Sequence, residues 1–220
     1  MRLRLLPAML LAAASFLPLQ ASTWQGWVSS FIPTWETDRF NLTTYAELRM
    51  TDDLGRRDVA ILSEKIRFKG VVPTWGPGLN LTYLEINRSP APGISHWRIE
   101  PEVNPILLES GDWKIDGRLR LEFRHIENTS GFDLRQRVKI RATWTPPLAD
   151  LPCRNLSVHV EGFHVYAADR WTEVRSVPLE ASWALPDGHR LGTFFMIQSR
   201  YRRGSWQHDP TLGLKAFLRF

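Results

Sequence analysis

Along most of the chain, apolar and charged residues take turns. In GRLRLEFRHIE (117–127), Arg118, Arg120, Glu122 and Arg124 fill every second position, with Leu119, Leu121, Phe123 and His125 between them. A period of two sends successive side chains to opposite faces of a strand, so one face here is a ladder of charge and the other nearly all hydrocarbon. The same beat returns in LRQRVKIRATW, where Arg135, Arg137, Lys139 and Arg141 alternate with Leu134, Val138 and Ile140 around them. HWRIEPEVN sets Arg98, Glu100, Glu102 and Asn104 against Ile99 and Val103, SVHVEGF sets His159 and Glu161 against Val158 and Val160, and MIQSRYRRG sets Gln198, Arg200 and Arg202 against Ile197 and Tyr201.

Turn-forming clusters of Gly, Pro, Asn and Asp divide this pattern at regular intervals. Eleven strand-like runs lie between them, at 24–35, 38–50, 57–69, 78–88, 95–109, 112–127, 132–144, 154–166, 171–185, 189–203 and 209–220. No run has helical periodicity. The fold class expected is all-β: an antiparallel up-and-down transmembrane β-barrel. Bacterial single-chain barrels have even strand numbers. The expectation is therefore about ten strands with 24–35 partly outside the closed core, and twelve as the alternative.

Three features point the apolar face outward. The ending LGLKAFLRF places Leu212, Leu214, Ala216, Leu218 and Phe220 on one face, opposite Gly213, Lys215, Phe217 and Arg219. That alternation, with a terminal aromatic residue, fits the C-terminal signal read by the outer-membrane assembly machinery; Leu212, Leu214, Leu218 and Phe220 are its candidate residues. Most tryptophans fall near the ends of runs, at Trp24, Trp35, Trp75, Trp97, Trp113, Trp144, Trp171 and Trp183, as aromatic girdles at the lipid headgroups require. Finally, long ladders of Arg and Glu cost several kcal/mol per charge in a dry core unless paired, a cost that a small wet interior largely removes. The expected interior lattice comprises Arg98, Glu100, Glu102, Arg118, Arg120, Glu122, Arg124, Arg135, Arg137, Arg141, Arg175 and Arg200, with Arg forks paired to Glu of neighbouring strands. Arg120 and Glu122 are one candidate pair.

Composition narrows the partners. Residues 1–21 read as an export signal, with Arg2 and Arg4 before the apolar LLPAMLLAAASFLPL, and 22–220 as the barrel domain. Without Arg2 and Arg4 the chain's 28 Lys and Arg become 26 against 23 Asp and Glu, and no basic block carries interleaved aromatics, so nucleic acid is not an expected partner. Outer-membrane lipid and the barrel assembly machinery are, and the location implied is the outer membrane of a Gram-negative bacterium. Cys153 is the only cysteine and cannot form an internal disulfide.

The ordered motifs YAELR (45–49), WRIEPEVNPIL (97–107), RLRLEFR (118–124), RQRVKIRATW (135–144), TEVR (172–175) and GLKAFLRF (213–220) together resemble the DUF2490 family, exported proteins of unknown function grouped with outer-membrane barrels. The resemblance spans essentially all of 22–220 and implies architecture and location but no reaction. It departs from the family at Val174, where an Asn usually precedes the Arg.

Chemistry is thin. His125, with Thr129 and Ser130 in the next loop, is the nearest thing to a lipid-hydrolysing group, but no nucleophile motif accompanies it. His159 and Glu161 share a face, yet two ligands do not make a metal site. No catalytic residue, metal or cofactor is expected. The leading reading is a structural element or narrow, porin-like, charge-lined conduit of unknown substrate; the alternatives are an outer-membrane lipid-modifying enzyme and a soluble periplasmic binding barrel.

Overall fold

A computed structural model describes residues 24–51, 54–70, 74–88, 91–147 and 153–219; the expected signal segment 1–21 and Phe220 lie outside them. Twelve strands follow one another: β1 Gln25–Glu36, β2 Phe40–Thr51, β3 Arg56–Phe68, β4 Gly78–Arg88, β5 Ala91–Val103, β6 Ile106–Ser110, β7 Trp113–Ile126, β8 Asp133–Trp144, β9 Cys153–Val165, β10 Arg170–Ala184, β11 Arg190–Arg202 and β12 Ser205–Phe217. Tyr166–Ala168 and Pro186–Gly188 form short 3₁₀ turns between them. Each strand pairs with the next in sequence except β5 with β6; β5 pairs instead with β7, and β1 pairs with β12, so the sheet closes on itself. The result is an all-β barrel with eleven strands in the ring and one short extra strand.

That extra strand is a continuation. Val103 faces Leu119 and Ile106 faces Asp116 on β7, so β5 and β6 follow one another along the same edge of β7 in unbroken register. The run 95–109 is interrupted at Asn104–Pro105 because Pro105 has no N–H for the ladder. The backbone there bonds sideways instead: the N–H groups of Asn104 and Ile106 donate to the carbonyls of Trp75 and Thr74 at 2.6 and 2.8 Å.

The first run is a full member of the ring rather than a segment partly outside it. β1 pairs antiparallel with β2 and parallel with β12, from Gln25 against Thr211 to Phe31 against Phe217. An odd ring of alternating strands must contain one parallel neighbour pair, and this seam supplies it. The last run also begins earlier than its turn residues suggested. Arg203 and Gly204 both take positive φ, 50° and 85°, the geometry of a two-residue type I′ hairpin, so pairing resumes at Ser205.

The polarity of the wall is inverted relative to a water-soluble barrel. Leu62 is 52% exposed, and Val28, Leu48, Leu81, Ile99, Leu119, Ile140, Val160, Leu179, Leu212 and Leu214 are exposed on the same outer surface. Glu47, Ser63, Asn80, Glu100, Arg120, Glu122, Glu161, Arg175 and Gln198 are buried on the inner one. Tryptophans gather at both rims. Trp35, Trp75, Trp113, Trp144 and Trp183 lie toward the rim that carries the β1–β2 turn, and Trp24, Trp97, Trp171 and Trp206 toward the opposite rim. Trp27 is the exception, pointing inward against Phe194, Val177 and Met196.

Candidate functional site

One cavity of about 950 Å³ occupies the barrel interior and touches residues near both rims, from Arg56 and Arg202 at one to Asp116 and Phe217 at the other. Arg98, Glu100, Glu102, Arg118, Arg120, Arg124, Arg135, Arg137, Arg141, Arg175 and Arg200 all line it, brought there by the period of two in β5, β7, β8, β10 and β11. Glu122 sits behind this lining, with no exposed surface.

These side chains form a connected lattice. Arg137 donates to Glu122 at 2.8 Å through Nη1 and to Glu161 at 3.1 Å through Nη2, bridging β7 and β9. Arg135 donates through Nε to Glu122 at 2.7 Å, and Arg98 lies 3.7 Å from the same carboxylate. Glu161 also accepts from Arg118. Arg120 donates to Glu100 at 2.8 Å and to Glu102, which in turn accepts from Asn80 and Asn104 at 3.1 Å each. Arg120 and Glu122 therefore do not pair. They project from the same strand two residues apart, and each finds partners on its neighbours. Nearer the rims, Arg141 bonds Asp116 at 2.9 Å, Arg200 bonds Asp209 at 2.5 Å, and Arg124 pairs with Asp133.

Several interior groups lay outside the expected set. Glu47 accepts from Arg49 at 2.6 Å and from the Tyr45 hydroxyl, and Glu173 accepts from Arg175 and Gln198 at 2.5 and 2.6 Å. Lys215 pairs with Glu180 at 2.8 Å. Phe163 has no exposed surface, and the guanidiniums of Arg175, Arg137 and Arg135 stack at 4.4, 4.6 and 4.9 Å from its ring centroid. Arg49 lies 3.9 Å over Trp27. Such cation–π contacts strengthen where water is excluded. The alternation in SVHVEGF already put Phe163 on the face of His159 and Glu161, so parity was the available signal.

Lys and Arg outnumber Asp and Glu sixteen to nine in the cavity lining. The interior is thus a paired lattice with a residual positive charge.

No comparable assembly exists for hydrolysis. His125 is exposed with its ring against Phe132, and the Thr129 hydroxyl donates to the Ile126 carbonyl, so the two make no pair. Ser199 and His208 do meet, with Oγ 2.8 Å from Nδ1. No carboxylate or amide orients the other ring nitrogen of His208 among the described residues. Neither do those residues contain a cluster of three or more His, Cys, Asp or Glu able to hold a metal. The C-terminal candidates Leu212 and Leu214 face outward from β12, and the N–H of Leu218 donates to the Phe31 carbonyl at 2.9 Å.

Where β5 meets the end of β7, the N–H and hydroxyl of Ser95 bond the Glu127 carboxylate at 3.0 and 2.9 Å, and the Glu127 N–H donates back to the Ser95 carbonyl. These donors hold Glu127 below the usual carboxylate range. No protein-family model, curated protein or solved structure matches the chain.

Proposed function

We propose that this protein is a small outer-membrane β-barrel of a Gram-negative bacterium whose charge-lined interior forms a narrow conduit favouring anions, and that it belongs with the DUF2490 proteins its motifs resemble. The observation that carries this reading is the inverted wall: a closed hydrocarbon outer surface around a buried lattice of Arg and Glu. In water the same wall would expose a continuous apolar belt far larger than soluble monomers tolerate. In a bilayer it is the arrangement spanning strands require, with Trp at both rims. The excess of Arg and Lys over carboxylates in the lining favours anions.

The test begins with the full chain expressed with its leader. A lipid-embedded barrel fractionates with the outer membrane, needs detergent for release and migrates differently on a gel before and after boiling. Conductance in planar bilayers, with a reversal potential displaced toward that of the anion under a salt gradient, then supports the conduit. Recovery from the soluble periplasm without a heat shift would overturn the membrane assignment in favour of a soluble binding barrel.

A further inference from the structure

We infer that the interior holds a tetrahedral oxyanion between Lys65, Lys139 and Arg118. The inference rests on the interior being reachable from water, as the conduit reading requires, and gives that interior a ligand. Lys139 stands in register between Arg118 on β7 and Glu161 on β9. Glu161 is already occupied: one oxygen accepts from both Arg118 and Arg137, and the other from Arg137. The neighbouring carboxylates are taken as well, Asp116 by Arg141 and Glu180 by Lys215, with His159 beside Glu180 at 3.6 Å. Lys139 is left without an ion pair among the described residues.

Lys65 reaches the same space from β3. Among the described residues its ammonium meets only aromatic faces, 3.7 Å from the Tyr45 centroid and 5.0 Å from that of Phe31, while Glu100 and Glu102 are held by Arg120. Arg118 spends one nitrogen on Glu161, and its buried Nε has no acceptor among the described residues. All three side chains line the one cavity, and Lys139 stands directly beside Arg118 in the register of β7 and β8. Three cations with unspent donors thus face one cavity, and the carboxylates of Glu100, Glu102 and Glu161 beside them are already paired. A halide offers a single centre, whereas phosphate or sulfate presents several oxygens to separate donors in charge-assisted hydrogen bonds. Clusters of Arg and Lys are how pores select such anions.

The test is calorimetric titration of inorganic phosphate into the purified full chain in detergent micelles, at constant chloride. One saturable site per chain is expected, with affinity at least tenfold weaker in Lys139→Met and in Lys65→Met and unchanged in Lys69→Met, a lysine paired with Glu36 outside the cavity. Both interior variants should keep the gel heat shift, because neither lysine leaves a carboxylate stranded. Absence of saturable heat in the wild-type chain, or equal affinity in all variants, would overturn the site. The titration needs no current. Phosphate binding without bilayer conductance supports the site and removes the conduit, and conductance without binding does the reverse.

Discussion

Arg120 holds a single oxygen of Glu102 with two of its nitrogens, Nε at 2.8 Å and Nη2 at 2.5 Å. Both side chains are almost wholly buried, so the pair behaves as an interior ion pair rather than a surface one. Replacing Glu102 by Gln alone is expected to cost ~3 kcal/mol, since the buried Arg120 loses the carboxylate that two of its nitrogens hold and keeps only Glu100. A double-mutant cycle with Arg120→Met should show a coupling of about 1 kcal/mol or more, while the cycle of Arg120 with Glu122 should be close to additive. Urea unfolding of the refolded barrel measures both, and strong coupling to Glu122 instead would contradict the lattice.

The outer surface gives the sharpest distinction between membrane and water. Arg in place of Ile140, or in place of Leu62, should lower stability by ~2–4 kcal/mol near the bilayer midplane. A barrel folded in water would lose little, because both positions are exposed. The comparison is made by unfolding the variants from lipid vesicles, and an effect within ~0.5 kcal/mol at both sites speaks against lipid contact.

A close approach inside the wall predicts a folding defect. A Cβ built on Gly213 would fall 1.9 Å from the Phe194 ring, which lies across it from β11. Gly213→Val is therefore expected to lose the heat-shifted species. Gly111→Asn should keep it: nothing lies within 4 Å of Gly111, and Asn accepts its φ of +55°. Retention of the shift in Gly213→Val would mean that Phe194 has room to move.

The link between Ser95 and Glu127 titrates. The folded carboxylate has a depressed pKa, so its contribution is complete above the ordinary carboxylate value of 4.5 and is lost as pH falls through the depressed one. The protection factor of the Ser95 amide, its hydrogen exchange relative to the unstructured rate at the same pH, should fall on acidification in the wild-type chain and lose that pH dependence in Glu127→Gln. A flat protection profile in the wild-type chain would show that the carboxylate does not hold the end of β7 to β5.

Much of this wall is written in the alternation of the chain. The parity of β7 and β8 alone puts Arg118, Arg120, Arg137 and Arg141 on one face, and the eleven runs correspond to eleven positions in the ring. What parity cannot supply is pairing. Arg120 and Glu122 look like partners in sequence because they are near and opposite in charge, but Arg120 bonds Glu100 and Glu102 on β5, and Glu122 bonds Arg135 and Arg137 on β8. Nor does alternation encode the neighbour of β1, which lies at the far end of the chain. The ion pairs of Glu47 and Glu173 were also hidden, because YAELR and TEVR are too short to look like ladders. Their Arg partners sit two residues on, on the same face.

The parallel seam has a further consequence. In a ring with an even strand count the first and last strands run in opposite senses, and their outer ends come out side by side. Here β1 and β12 run the same way, so the start of β1 and the end of β12 face opposite mouths of the barrel. Gln25 stands beside Thr211, with Phe217 farther along β12, about 20 Å away at a strand rise of ~3.3 Å per residue. Circular permutation, which needs only a short tether when chain ends are adjacent, would here demand a connector that travels along the wall or through the lattice. The order in which the strands are joined is therefore much harder to rewire than the simple hairpin succession suggests.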